Sequence, residues 1–251
     1  MAFINLKLFS DSLNKATEVN IIIPENNRGR VPVLYLLHGL SGDHGIWMRM
    51  TSIERYAEKM GIAVVMPDGD RSFYTDMQNG ANYQQYISEE LRRKICSMLS
   101  ISNKRDENFI AGLSMGGYGA YKISLSNPQK YCFAASLSGG LDICKLVESP
   151  RNICSKKEFE VIFGDLDNLS ASSHDLFRLV DKNLNEGREM PYLYQCCGTE
   201  DELCESNIEF RDYLIKKGVK VEYEEGPGIH DWYYWDAMIQ KVLLKIEAIL
   251  K

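Results

Sequence analysis

Residues 108–117 read Asn108-Phe109-Ile110-Ala111-Gly112-Leu113-Ser114-Met115-Gly116-Gly117, and a helix-compatible run, Tyr118 to Ser126, follows. An apolar strand closed by G-x-S-x-G and continued by a helix is a sharp strand-to-helix corner, which lifts a serine hydroxyl clear of its own backbone. The glycines flank the corner because a Cβ at Gly112 or Gly116 would meet neighbouring backbone. The following helix aims its first N–H groups at the hydroxyl, where negative charge develops when a carbonyl is attacked. Ser114 is therefore the candidate nucleophile. A phosphate loop would need Lys-Ser/Thr after the glycines, and a dinucleotide fold would need G-x-G-x-x-G; neither is present. The rival Ser136-Leu137-Ser138-Gly139-Gly140 has Ser where the first glycine should stand, and reads as a structural turn near the site.

Outward from this corner, β-rich runs alternate with amphipathic ones along the whole chain. The predicted strands are Phe3–Phe9, Glu18–Ile23, Val33–Leu37, Ala63–Met66, Phe109–Ala111, Phe133–Leu137, Tyr192–Cys196 and Val219–Glu224. Helical spacing covers Ser52–Met60, Tyr83–Ser100, Met115–Ser126, Ser172–Leu184, Glu202–Lys217 and Tyr234–Leu250. This is the pattern of an α/β fold with a mainly parallel central sheet and helices on both faces, opened by an antiparallel N-terminal hairpin. No linker or repeat interrupts it, so residues 1–251 are expected to form a single domain. Residues 142–169 are the least regular stretch, either an insertion or cap over the site or a long surface connection.

An activated serine needs a base, and only four histidines are present. His230 lies just after the last predicted strand, in Gly226-Pro227-Gly228-Ile229-His230-Asp231-Trp232, and open α/β sheets build their sites at such carboxyl ends. The base in turn needs an acid to fix its tautomer. Asp201, in Gly198-Thr199-Glu200-Asp201 after another late strand, is the choice. Glu200 and Glu202 are its neighbours but suit the start of the next helix, and Asp231 adjoins His230 too closely to orient it. The order Ser114, Asp201, His230 matches that of the α/β-hydrolases. In that fold the loop after the third strand, here His38-Gly39-Leu40-Ser41-Gly42, supplies one oxyanion-hole N–H, and the residue after the nucleophile supplies the other. Leu40 and Met115 are the expected donors, with His38 bracing the loop. Trp47, Trp232 and Leu40 are expected to line a pocket for a hydrophobic or aromatic acyl group, although ordinary packing explains them equally well. Arg49 and Arg71 stand near enough to the motifs to keep a substrate carboxylate open.

Composition narrows the function classes. The 251 residues are 45% hydrophobic and 25% charged, with 29 Lys and Arg against 35 Asp and Glu, a net charge of -6. That balance argues against general affinity for nucleic acid or anionic membranes and points to a small-molecule substrate. No apolar run approaches the roughly 20 residues of a membrane-spanning helix. Seven cysteines without C-x-x-C spacing read as reduced, mostly buried thiols rather than disulfides or a metal site. The alternation over Met1–Phe9 reads as a first strand rather than a signal peptide, which places the chain in the cytoplasm. A homo-oligomer is left open.

Taken together, His38-Gly39-Leu40-Ser41-Gly42, Met66-Pro67-Asp68-Gly69, Glu89-Glu90-Leu91, Gly112-Leu113-Ser114-Met115-Gly116-Gly117, Leu137-Ser138-Gly139, Gly198-Thr199-Glu200-Asp201 and Gly228-Ile229-His230-Asp231-Trp232 resemble the esterase D/tributyrin esterase branch of the α/β-hydrolases. That branch also holds S-formylglutathione hydrolases and feruloyl and acetyl-xylan esterases. The resemblance spans residues 3 to 250 and implies a cofactor-free serine carboxylesterase, acting on short acyl or aryl esters with Ser114, Asp201 and His230 as its triad. No diagnostic pattern falls in 142–169, the region that tends to shape the acyl pocket in such enzymes. The alternatives are a thioesterase for S-formylglutathione, an acyltransferase, and a catalytically silent binding member of the fold.

Overall fold

A computed structural model describes residues 1–25, 29–149 and 154–251. One eight-stranded sheet runs through it in the order β1-β2-β4-β3-β5-β6-β7-β8. Its strands are β1 (Ala2–Ser10), β2 (Lys15–Ile23), β3 (Val33–Leu37), β4 (Ala63–Pro67), β5 (Asn108–Leu113), β6 (Phe133–Leu137), β7 (Tyr192–Gly198) and β8 (Val221–Gly226). The pair β1/β2 and the junction β2/β4 are antiparallel, and every other pairing is parallel. The predicted mainly parallel sheet with an antiparallel opening hairpin is what forms.

The helices are α1 (Ile46–Met50), α2 (Ile53–Glu58), α3 (Tyr83–Gln85), α4 (Arg92–Met98), α5 (Met115–Ser126), α6 (Ile143–Glu148), α7 (Lys156–Phe163), α8 (Leu176–Asn185), α9 (Cys204–Lys216) and α10 (Trp232–Leu250), with a π-helical turn, Tyr86–Leu91, between α3 and α4. Alternate residues of the central strands serve opposite faces. Val33, Tyr35 and Leu37 join the core under α5, α8 and α9, while Leu34 and Leu36 join the core under α2 and α10. Both faces are thus covered, which is why β3 reads as an unbroken apolar run rather than an alternating one. β1 lies at the sheet edge and does alternate, with Ile4, Leu6 and Leu8 packed inward and Phe3 and Phe9 exposed.

Several predicted boundaries move for identifiable reasons. The last strand begins at Val221, not Val219, because the Val219 N–H is drawn back 2.9 Å onto the Leu214 carbonyl of α9 behind a left-handed Gly218. The helix expected from Ser172 starts at Leu176, where the Asp175 side chain caps the Phe177 N–H. In the π-turn, the buried carboxylate of Glu90 accepts Ser10 Oγ at 2.7 Å and the N–H groups of Asp11 and Ser12 at 2.9 Å, so the Glu89-Glu90-Leu91 motif anchors the β1–β2 turn. Burial opposes ionisation there, but these donors and Lys94 outweigh it and hold the carboxyl far below its ordinary range. Among the described residues no cysteine is in a disulfide; Cys154, Cys196 and Cys197 are buried, fewer than expected, and the other four are half-buried. Of the irregular 142–169 stretch, residues 150–153 lie outside the described residues; the rest forms α6, α7 and a 3-10 turn at Leu166–Ala171. No described helix is long and apolar enough to cross a membrane.

The chain order of the sheet fixes where a site can form. From β3 the chain moves to β4 on one side, then returns to β5 on the other. The loops leaving the carboxyl ends of β3 and β5 therefore diverge and open a crevice between them, the switch point where α/β sheets hold ligands.

Candidate active site

Ser114 sits at that crevice. It occupies the corner between β5 and α5 with φ 54° and ψ −119°, a conformation costly for a residue bearing a Cβ. Tight packing holds it there. The Ser114 N–H donates to Leu137 O at 2.9 Å, and its own carbonyl accepts the N–H groups of Gly117 and Tyr118 at 2.9 and 3.1 Å. A Cβ on Gly112 would stand 2.3 Å from the Gly116 carbonyl oxygen, and one on Gly116 would stand 2.5 Å from that of His38. Both glycines are thus dictated by backbone approach.

The three residues singled out in sequence meet here. Ser114 Oγ lies 2.9 Å from His230 Nε2, and His230 Nδ1 lies 2.8 Å from Asp201 Oδ2. The other Asp201 oxygen accepts the Leu203 N–H at 2.9 Å. Burial works to raise the Asp201 pKa, but the His230 ring, the Leu203 N–H and the Ser138 hydroxyl outweigh it and hold the carboxyl below its ordinary value. An ionised carboxylate can only accept, so Nδ1 carries the imidazole proton and Nε2 presents a lone pair to the serine hydroxyl. The order in the sheet is what permits this contact, since Asp201 leaves β7 and His230 leaves β8, two neighbouring parallel strands on the same side as β5.

The Leu40 N–H is aimed by its own peptide group. Across a trans peptide the C=O and N–H point in opposite directions. The Gly39 oxygen accepts His38 Nδ1 at 2.8 Å and the Gly42 N–H at 3.1 Å, which turns the Leu40 N–H the other way. His38 is itself fixed, because its Nε2 accepts the Gly69 N–H at 2.8 Å and its carbonyl accepts the Tyr74 hydroxyl at 2.9 Å. It is buried and braces the loop, as expected. The Met115 N–H, at the first position of α5, has no carbonyl one turn back within the helix. Neither N–H meets an acceptor among the described residues, and both residues line the same cavity as Ser114 and His230.

That cavity measures about 640 Å³. Its lining includes the apolar residues Leu40, Ile46, Trp232 and Trp235 and the charged residues Asp142, Lys145, Glu202 and Glu205. Asp142, Lys145, Leu146 and Ser149 of the irregular segment form part of its wall. Trp232 lies on the wall, and Trp47 does not. Its indole is buried behind Trp232, edge-on at 5.1 Å between ring centroids, and its N–H is spent on Leu37 O at 3.0 Å. Trp47 thus supports the wall from behind. Trp235, whose ring meets that of His230 at 90° and 4.8 Å, was not anticipated.

Three charged residues also take parts that their sequence neighbourhoods did not reveal. Glu200 does not open the next helix. Its carboxylate accepts the Gly228 N–H at 2.6 Å while its own N–H donates to Gly228 O at 3.0 Å, clamping the Asp201 loop to the His230 loop. Asp231 caps α10 through the Tyr234 N–H at 3.1 Å, leaving Asp201 alone on the imidazole. Lys145 lines the cavity and is ion-paired to Glu209. Of the two arginines near the motifs, Arg49 is exposed and absent from the cavity wall, and Arg71 is ion-paired to Glu158.

Known proteins agree with this architecture over nearly the whole chain. The Esterase family model matches residues 10–246. An acetyl esterase from Caldicellulosiruptor saccharolyticus is 32% identical, over 95% of this chain and 96% of its own. Among solved structures, the fluorophosphonate-binding serine hydrolase F of Staphylococcus aureus, with substrate bound, is 37% identical with a TM-score of 0.92 over 98% of both chains. The S-formylglutathione hydrolase of the same organism is 36% identical with a TM-score of 0.89, again over 98% of both. The family match runs from the end of β1 into α10 and so takes in the corner serine, the histidine and the acid alike; the chain belongs to the Esterase family, and it is a serine hydrolase of carboxylic esters with the α/β-hydrolase fold.

Proposed function

We propose that the protein hydrolyses small carboxylic esters with short acyl or aryl groups through an acyl-enzyme on Ser114. The observation that carries the proposal is the continuous chain Asp201 Oδ2, His230 Nδ1, His230 Nε2, Ser114 Oγ, with both contacts under 3 Å and the serine strained onto the cavity. In the first half-reaction His230 Nε2 takes the Ser114 proton as Oγ bonds to the ester carbonyl carbon. The carbonyl electron pair moves to oxygen, where the N–H groups of Leu40 and Met115 stabilise it. Collapse of this intermediate expels the alcohol, which leaves with the proton from Nε2. Water then repeats the sequence, giving its proton to His230, and the acid departs. Asp201 stays ionised throughout and balances the imidazolium.

Substrate size follows from the space. A cavity of about 640 Å³ lies within the roughly 300–1,000 Å³ usual for small-molecule sites, and its apolar lining residues suit a short or aromatic acyl group. We read the whole chain as one hydrolase domain with 142–169 as its cap, needing no cofactor. The seven cysteines, without C-x-x-C spacing, fit a cytoplasmic location. A thioesterase acting on S-formylglutathione is the second reading, supported by likeness to a hydrolase of that name and by the charged residues on the cavity wall.

The test is turnover of p-nitrophenyl acetate and butyrate, and of S-formylglutathione, by wild type beside Ser114→Ala, with both shown folded by circular dichroism. Ester turnover by the wild type alone is the expected result. Equal rates in the two proteins would remove Ser114 from the chemistry, and turnover confined to the thioester would favour the second reading.

A further inference from the structure

The oxyanion loop is held from two directions. Upstream of Leu40, His38 and Gly42 fix the Gly39 oxygen. Downstream lies Ser41, a non-glycine residue in the left-handed region at φ 68°, a conformation that costs energy for a side chain bearing a Cβ. Its hydroxyl accepts Arg71 Nη1 at 3.0 Å. Arg71 comes from the loop after β4, between Gly69, which donates to His38, and Phe73, which lines the cavity. Its guanidinium is set side-on against Glu158 of α7, with Nε to Oε1 at 2.6 Å and Nη2 to Oε2 at 3.2 Å, and Nη2 also reaches Cys154 Sγ at 3.4 Å. Such a two-pronged pair fixes the plane of the guanidinium and so the direction of its third nitrogen.

From this we infer that Arg71 is a positioning residue: oriented by Glu158, it holds Ser41 and thereby keeps the Leu40 N–H on the oxyanion, and it is not a cation for substrate. The inference rests on the reading of Leu40 as an oxyanion donor. Charge agrees with it. The Arg71 charge is already balanced by Glu158, whose carboxyl is held below its ordinary value chiefly by that hydrogen bond. The arrangement also ties the loop to the segment that returns from the cavity wall, since α7 follows α6 in the same stretch.

Loss of Arg71 frees Ser41 to leave its strained conformation, and the Leu40 N–H then spends part of its time misdirected. Ground-state binding rests on the cavity walls and does not need that N–H. Removing an oxyanion donor outright costs about 10²–10³ in kcat, so misdirecting one part of the time should cost about tenfold. The experiment uses Arg71→Met, Ser41→Ala and the double variant of the full chain, each checked for folding by circular dichroism. It measures kcat and KM for p-nitrophenyl butyrate, and the rate at which a fluorophosphonate labels Ser114, followed by intact mass. Each single variant should lose about tenfold in kcat and in labelling rate with KM within about twofold, and the double variant should lose no more than either.

An Arg71→Met protein with unchanged labelling and kcat overturns the inference, as does a raised KM at constant kcat, which would make Arg71 a substrate contact. Additive losses in the double variant also overturn it. Should Arg71→Met fail to fold, Ser41→Ala carries the same test because it removes only the hydroxyl. A wild type that accepts the phosphonate but hydrolyses no ester would count against the esterase reading, and the relative labelling rates would still decide the role of Arg71.

Discussion

Replacing Asp201 by asparagine should abolish almost all turnover while leaving the fold intact, and the hydrogen bonds say why. The Leu203 N–H donates to one oxygen of Asp201 at 2.9 Å, and the His230 ring meets the other at 2.8 Å. An amide in that position must keep its oxygen on the Leu203 N–H, since the opposite orientation would set two donors against each other. Its NH₂ group then faces His230 Nδ1. The imidazole can satisfy that donor only by presenting a bare Nδ1, which moves its proton to Nε2. There it points at Ser114 Oγ, 2.9 Å away, where a lone pair is required. The base is lost through its tautomer, and the imidazolium that forms during attack also loses its buried counter-charge. A perturbation of this kind costs about 10⁴ in kcat, or about 5 kcal/mol of transition-state stabilisation.

Stability should respond much less. The amide retains the Leu203 contact, so the melting temperature should move by no more than about 4 °C. Steady-state kcat on p-nitrophenyl acetate and the amplitude and rate of the initial p-nitrophenol burst are the measurements, with Asp231→Asn as the control. Asp231 caps α10 through Tyr234 and touches no imidazole nitrogen, so that control should keep kcat within a few-fold of wild type. An Asp201→Asn protein within about tenfold of wild type, or an Asp231→Asn protein equally impaired, would refute the assignment of the acid.

Two further expectations concern the scaffold. Gly112→Ala should lower stability by more than about 2 kcal/mol or prevent folding, because its Cβ would stand 2.3 Å from the oxygen and 2.4 Å from the carbonyl carbon of Gly116, backbone atoms that cannot swing aside; an unchanged denaturation midpoint would contradict the packing at the corner. Lys122, fully buried on α5 with its ammonium on Ser173 O at 3.1 Å, has its pKa lowered by burial to about 8, partly offset by Asp76. Between about pH 8 and pH 10.5 the folded state therefore binds fewer protons than the unfolded one, and stability rises with pH through that window. Wild type should gain up to about 3 kcal/mol on Lys122→Met across it, and urea midpoints of both proteins at pH 7 and pH 10 that keep a constant gap would show that the lysine is not penalised by burial.

What could be read in the sequence was whatever the ends of strands determine. The eight strands announce themselves as runs rich in Val, Ile, Tyr and Phe, and α5 is found with the limits expected, Met115 to Ser126. Ser114, Asp201 and His230 each lie within a few residues of the carboxyl end of such a run, so their positions relative to the sheet are implied once the strands are assigned. The π-turn at Tyr86–Leu91 lies inside the one long helix that the spacing predicts over Tyr83–Ser100, and Glu90 within it reaches the hairpin through a contact of long range. The helix α7 was missed although Ser155-Lys156-Lys157-Glu158 carries the spacing of a capping box and Ser155 does accept the Glu158 N–H.

Adjacent residues on one loop mark where such reading stops. Asp201 was identified because its chemistry has a partner type, a histidine, that the sequence could supply in the right order. Glu200, its neighbour, holds the same two loops together, yet its partner is the backbone of Gly228, and backbone groups carry no identity in a sequence. Arg71 and Trp47 follow the same rule in opposite senses. Arg71 stands thirty residues from Ser41, and a hydroxyl acceptor offers no signature to find it by. Trp47 stands close to the oxyanion loop in sequence, and only the direction of α1 decides that its ring lies behind Trp232 instead of in the cavity. Chemistry that pairs two distinctive side chains is therefore legible in the chain, whereas the backbone contacts that bring those side chains within 3 Å become visible only when the loops are folded against each other.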